Sequence, residues 1–158
     1  MASIVFGIDY EDLPQHVVIG GGINTNSPRL LDGPMAGGLI ELARAGQPVI
    51  VTPFTLAGAM APVTIIGAIA QQNVEALAGI VLKQLVRPGV HAVYGGFTSK
   101  VDMRTGSPAF GTPEQTKATH ITGQLCTVPY THLRAHETRH DLVCRLLLVQ
   151  KKLLTPLH

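Results

Sequence analysis

Three histidines near the C-terminus, His132, His136 and His140, fall at i, i+4 and i+8, and the last two frame the stretch HETRH. On a helix, H-E-x-x-H sets two imidazoles one turn apart on one face, with the glutamate between them placed as general base, which is zinc-hydrolase chemistry. A catalytic zinc also needs a third protein ligand and an open position. No such third ligand is evident, so the histidine repeat supports adventitious metal binding more readily than catalysis. A second group of polar and aromatic residues follows three short apolar runs. After HVVIGGG come Asn24, Thr25 and Asn26, and Thr52, Phe54 and Thr55 end or follow PVIVT. Tyr94, Phe97, Thr98, Ser99 and Asp102 lie in or after HAVYGGF.

The elements that position this second group read as alternating β and α. The apolar runs at 16–22, 48–52 and 91–97 are strands, and PVIVT is uniformly apolar, as expected of a strand covered on both faces. Asp32 is an N-cap with Pro34 in the first turn, and Met35, Leu39 and Leu42 recur at i, i+4 and i+7. Gly46 then sits where a helix C′ residue belongs. A long helix runs from Pro62 to Pro88-Gly89. A further one opens on Thr112, Pro113 and Gln115 as N-cap, first turn and capping-box partner. The β-α-β-α-β-α order suits either a doubly wound sheet or a (β/α)₈ barrel. Gly20 and Gly22 begin a dinucleotide fingerprint, but Thr25 occupies its third glycine and Pro28 stands where its helix would start. In a barrel the residues after each strand gather at one face, where the active site lies. The loops after Gly22, Thr52 and Gly96 are therefore expected together.

The 158 residues suffice for one ordinary domain, and 46% apolar against 14% charged residues provides a core rather than a disordered chain. The net charge of +2 belongs to the tail: residues 127–158 hold five basic and two acidic side chains, leaving seven and eight before them. No nucleic-acid footprint remains. Cys126 and Cys144 are too few for a disulfide framework, so a reducing, cytoplasmic setting is expected. The N-terminus lacks a basic region and soon reaches Asp9, Glu11 and Asp12, unlike a signal peptide. No charge occurs between Arg44 and Glu75, yet Pro48, Pro53 and Pro62 break that span, so a buried strand and helix are expected and not a membrane segment.

The runs INTNSP, GLIELARAGQPVIVTPFTLAGAMAPVT, AQQNVEALAGIVL, QLVRPG and VYGGFTSKVDMRTGSPAFGTPE resemble, in register, the trimethylamine methyltransferase family. That family includes trimethylamine:corrinoid and glycine betaine:corrinoid methyltransferases. The resemblance covers most of residues 4–126 and implies an α/β fold: a partial (β/α)₈ TIM barrel of about three βα units with parallel strands. After GQL the family would continue through a strand like GLPYR. Residues 127–158 instead resemble the translation of a short-read library adapter. Under that reading they are a non-native, helical tail, and Arg139 and His140 are set by a variable index.

The resemblance further implies methyl transfer from a methylated amine, such as trimethylamine or glycine betaine, to the Co(I) of a corrinoid. A cognate corrinoid protein carries that corrinoid, so no cofactor or metal is expected on this chain directly. Some family members use pyrrolysine further toward the C-terminus, which places catalytic residues outside this sequence. The intact parent is expected to be a homo-oligomer and this chain alone to be inactive. For substrate binding the residue types agree, because a quaternary or protonated ammonium has no lone pair to offer and is hosted by aromatic faces and carboxylates. Phe54, Tyr94, Phe97 and Asp102 are candidates of that kind, with Asn24, Thr25, Asn26, Thr52, Thr55, Thr98 and Ser99 as polar partners. Each also has a plain structural role open to it, as core aromatic, loop cap or ion-pair partner of Lys100 or Arg104. A zinc hydrolase built on HETRH and a small self-associating binding module remain the alternatives.

Overall fold

The computed structural model describes residues 2–125 and 132–133. A short helix α1 (Ala2–Phe6) leads to β1 (Gly21–Thr25), α2 (Gly33–Arg44), β2 (Val49–Ala57) and the long helix α3 (Ile65–Val86). Next come β3 (Ala92–Tyr94), β4 (Phe97–Val101), β5 (Pro108–Ala109), α4 (Pro113–Leu125) and β6 (His132–Leu133). β1, β3 and β4 all run parallel to β2, and β6 runs parallel to β3. Val49 lies opposite Ala92 and Phe54 opposite Phe97, the same offset, so β3 and β4 are one strand interrupted at Gly95-Gly96.

Helices α2, α3 and α4 pack side by side, α2 on α3 and α3 on α4, and each also touches the strands. They therefore cover one face of the sheet. A doubly wound sheet would carry helices on both faces and reverse its strand order. Here the strands follow one another in chain order and the sheet curls into a half-barrel, with the helices outside and a concave face within.

Local sequence explains the elements. The Asp32 carboxylate accepts the Met35 amide at 2.9 Å and opens α2. Gly46 closes it at φ 70, where an added Cβ would lie 2.7 Å from the Pro14 Cα. Along β2 the period-2 alternation buries Val49, Val51, Pro53 and Thr55 toward the helices and leaves Ile50, Thr52 and Phe54 half-buried on the concave side. Ile23, Leu39, Val49 and Val51 form the main core cluster, with Met35, Leu42 and Ile80 packed on it. Each such side chain stabilises the fold by about 1.5–3 kcal/mol when fully buried.

α3 inverts the usual amphipathic pattern. Its sheet-facing side carries Gln72, Glu75 and Lys83 among Ala68, Ala76 and Gly79, while Ile66, Val74, Leu77, Val81 and Leu85 are exposed. Gly79 permits the close approach, since a Cβ there would meet Val51 Cγ1 at 2.7 Å. By length and composition α3 is apolar enough to cross a membrane; its polar side packs on the sheet. The buried Lys83 ammonium donates to the carbonyls of Gln47 and His91, which precede β2 and β3. Burial lowers its pKa from 10.5 to about 8.

Several elements lie elsewhere than the sequence suggests. The first strand begins at Gly21, not His16, because the Gln47 side chain claims the preceding segment. It accepts from the Val18 and Ile19 amides and donates to the Leu13 and His16 carbonyls. β2 continues to Ala57, so Phe54 and Thr55 are strand residues. The expected loop after Gly96 is instead β4, a tight turn and the antiparallel β5. Gln115 does reach back from α4, but to the Gly111 amide at 2.6 Å, one residue before the expected partner. Of the expected helical tail, residues 132–133 form β6, and HETRH at 136–140 lies outside the described residues.

Candidate substrate site on the concave face

Register and alternation sort the candidate residues into three places. Asn24 and Thr52 are register partners and share the concave face with Phe54 and Phe97, one row further along the strands. Phe54 and Phe97 stack with ring centroids 5.0 Å apart and planes 8° from parallel. Phe110, just after β5, presents its edge to Phe97 at 5.4 Å. The result is an aromatic wall beside an exposed amide, Asn24, and a half-buried hydroxyl, Thr52. Gly95 keeps that hydroxyl accessible to its neighbours, since an added Cβ would lie 2.4 Å from Thr52 Oγ1.

Thr25, Thr55, Tyr94 and Thr98 instead face the helices. The Thr25 hydroxyl donates to Glu75 Oε2 at 2.6 Å. Thr55 and Thr98 share a hydrogen bond, and Thr98 donates to the Gln72 side-chain carbonyl. The Gln72 amide donates in turn to Thr122 at 3.1 Å and to the Tyr94 hydroxyl at 3.5 Å. Tyr94 also packs on Ala76 and Ile80. These four residues tie the sheet to α3 and α4 and stand behind the concave face, not on it.

The remaining candidates belong to the β1–α2 loop and to the β4–β5 hairpin. Asn26 closes the β1–α2 loop, its amide donating to the Leu30 carbonyl at 2.8 Å and its carbonyl accepting from the Leu30 amide at 3.2 Å. The Ser99 hydroxyl donates to the Ala109 carbonyl at 2.8 Å and holds β5 against β4. Asp102 accepts the Arg104 amide at 2.9 Å and the Thr105 hydroxyl at 3.1 Å, and these bonds hold its carboxyl below the usual range. It caps the hairpin turn, while Lys100 pairs with Glu114 at 3.2 Å.

Three residues at or behind the site escape sequence reasoning. Phe110 follows a Ser-Pro turn and shows no periodicity of its own. Gln72 and Glu75 sit in an apolar helical stretch, where a polar residue reads as the solvent face. The available signal is their spacing with Gly79 and Lys83, which puts Gln72, Glu75 and Lys83 on the stripe that also holds Ala68, Ala76 and Gly79. Among the described residues no group of three or more His, Cys, Asp or Glu side chains is placed to hold a metal ion.

Comparison with known families adds a direct result: the model of the family described as trimethylamine methyltransferase matches residues 1–134. The chain belongs to the trimethylamine methyltransferase family. Within that family, glycine betaine methyltransferase from Desulfitobacterium hafniense is 38% identical over 114 residues, covering 72% of this chain and 24% of that protein. Trimethylamine methyltransferase MttB1 from Methanosarcina mazei is 33% identical over 114 residues, covering 72% of this chain and 23% of that protein. Proline betaine:corrinoid methyltransferase from Eubacterium limosum is 39% identical over 76 residues, covering 48% and 16%. The chain thus spans about a quarter of the length of the first of these relatives. The trimethylamine methyltransferase match also extends past Cys126 and includes β6.

Proposed function

We propose that this chain is part of a corrinoid-dependent methyltransferase, a slice of a (β/α)₈ barrel. The intact enzyme moves a methyl group from a tertiary or quaternary methylated amine to the Co(I) of a corrinoid carried by a separate protein. In that reaction the cobalt of the partner supplies the nucleophile, the C–N bond breaks, and the amine leaves with the electron pair. The residues described here hold the amine.

The observation that carries this reading is the Phe54–Phe97 stack on the concave face, next to Asn24 and Thr52, in a chain of this family. A methylated ammonium is attracted to aromatic faces by their quadrupole and needs no hydrogen-bond acceptor. Phe54 and Phe97 each spend one face on the other, Phe97 also meets Phe110, and a ligand is offered the ring surface those contacts leave. Asn24 and Thr52 are placed to orient whatever polar group the ligand carries beyond nitrogen. Strands arranged in chain order, with α2, α3 and α4 on one face, are what a barrel slice requires.

Titration of the chain with tetramethylammonium chloride, followed by amide chemical shifts, tests this reading. Shifts concentrated at Asn24, Thr52 and Phe97, and abolished in the double variant Phe54→Leu and Phe97→Leu, are expected. Shifts that are absent, or that survive the double substitution, contradict it.

A further inference from the structure

Glu75 is 4% exposed and projects from the sheet-facing side of α3 into the loop that follows β1. Its Oε2 accepts the hydroxyls of Thr25 at 2.6 Å and Ser27 at 2.7 Å. Its Oε1 accepts the Arg29 amide at 2.7 Å and the Gln71 side-chain amide at 3.0 Å. All four donors are neutral, and among the described residues no ion pair reaches this carboxylate. Burial alone would raise its pKa, but the bonds from Thr25, the Arg29 amide, Ser27 and Gln71 outweigh it and hold the pKa below 4.5. Glu75 is therefore a buried negative charge that no cation among the described residues neutralises.

The loop is shaped around it. Arg29 adopts φ 55, a conformation uncommon outside glycine, and in it directs its amide at the carboxylate. The Asn26–Leu30 bridge closes the loop from the other end. Thr25 points at Glu75, whereas Asn24, by strand alternation, belongs to the concave face with Thr52. The β1 backbone lies between the charge and the concave face that Asn24 occupies.

We propose that Glu75 is the positioning residue of the β1–α2 loop and that its charge makes the concave face selective for a cationic ligand. The inference rests on the ammonium-site reading above and names the residue that supplies its electrostatic preference. A unit charge acting through one backbone layer, at the intermediate dielectric of a protein surface, changes the affinity for a monovalent cation on the order of tenfold. An uncharged ligand of the same shape feels nothing of it.

The test titrates the whole chain with choline and with its uncharged isostere 3,3-dimethylbutan-1-ol, and follows amide exchange at Asn26 and Leu30. Wild type, Glu75→Gln and Glu75→Ala are compared. Glu75→Gln removes the charge but keeps a group able to bond the loop. It is expected to lose about tenfold in choline affinity, with isostere affinity and loop exchange unchanged. Glu75→Ala is expected to accelerate exchange at both loop amides and to weaken both ligands. Choline bound equally by wild type and Glu75→Gln overturns the inference, as does unaltered loop exchange in Glu75→Ala. A wild-type chain that binds neither ligand overturns the ammonium-site reading and this inference together.

Discussion

Phe97 is the shared member of two ring contacts, stacked on Phe54 at 5.0 Å and met edge-on by Phe110 at 5.4 Å. The stack exists because β2 and β4 place the two residues in register. Aromatic pairs of this kind contribute about 0.5–1.5 kcal/mol each beyond the area they bury. Phe97→Ala removes both contacts and part of the concave wall, and is expected to cost about 2–4 kcal/mol. Phe110 is mostly exposed and makes one ring contact, so Phe110→Ala is expected to cost less than about 1.5 kcal/mol. Urea denaturation of the two variants gives the ranking, and a larger loss at Phe110 contradicts it.

A second prediction concerns Gly96, where the third strand breaks. A Cβ there would fall 2.1 Å from Gln72 Nε2 and 2.5 Å from its Cδ. Gln72 is fully buried and held by Thr98 and Thr122, so its amide has nowhere to go. Gly96→Ala is expected to destabilise by about 1–3 kcal/mol through overpacking. Gln72→Ala costs about as much by leaving buried hydroxyls without their partner. The double variant should lose less than the sum, by about 0.5–3 kcal/mol, because truncating Gln72 makes room for the methyl. Additive losses in a denaturation cycle would show that the two residues do not compete for one space.

The caps and the strand order were legible in the sequence, and the facing of side chains was not. Asp32 and Gly46 read correctly as the ends of α2 because capping is local chemistry. The parallel order followed from punctuation by proline and glycine. Thr25, Thr55 and Thr98, by contrast, look like loop residues at strand ends, yet β1, β2 and β4 extend through them. Alternation then turns them toward α3, where Glu75 and Gln72 receive them. Strand length is set by ladder partners far away in sequence, and Gln47 likewise displaced the start of β1 through bonds to residues about thirty positions back. The polar residues on the buried stripe of α3 were illegible for the same reason, since they are explained only by the hydroxyls, amides and carbonyls they meet.

Lys83 gives the stability a distinct alkaline dependence. Its pKa falls from 10.5 to about 8 because burial disfavours the charged ammonium. Between those values the unfolded chain binds more protons than the folded one, so stability rises with pH across that window and is lowest below it. The carbonyls of Gln47 and His91 favour the charged form and temper the effect, which is expected to be about 1–3 kcal/mol. Urea midpoints measured near about pH 7.5 and about pH 10 should differ in wild type and converge in Lys83→Met. A wild-type midpoint that falls across this range contradicts the assignment.

Methyl transfer itself is the most direct measurement of whether this chain is one part of a larger methyltransferase barrel. The purified chain, and separately the full-length gene product that contains its barrel strands, are mixed with methylated amines and a reduced Co(I) corrinoid protein, and methyl-Co(III) is followed by absorbance. A (β/α)₈ site is assembled from the loops of many strands, and this chain supplies only those after its first few. Silence from the chain alone and turnover by the full-length protein with at least one tertiary or quaternary methylamine are expected. Turnover by the chain alone contradicts the reading of it as a slice, and silence from the full-length protein with every methylated amine contradicts the proposed function.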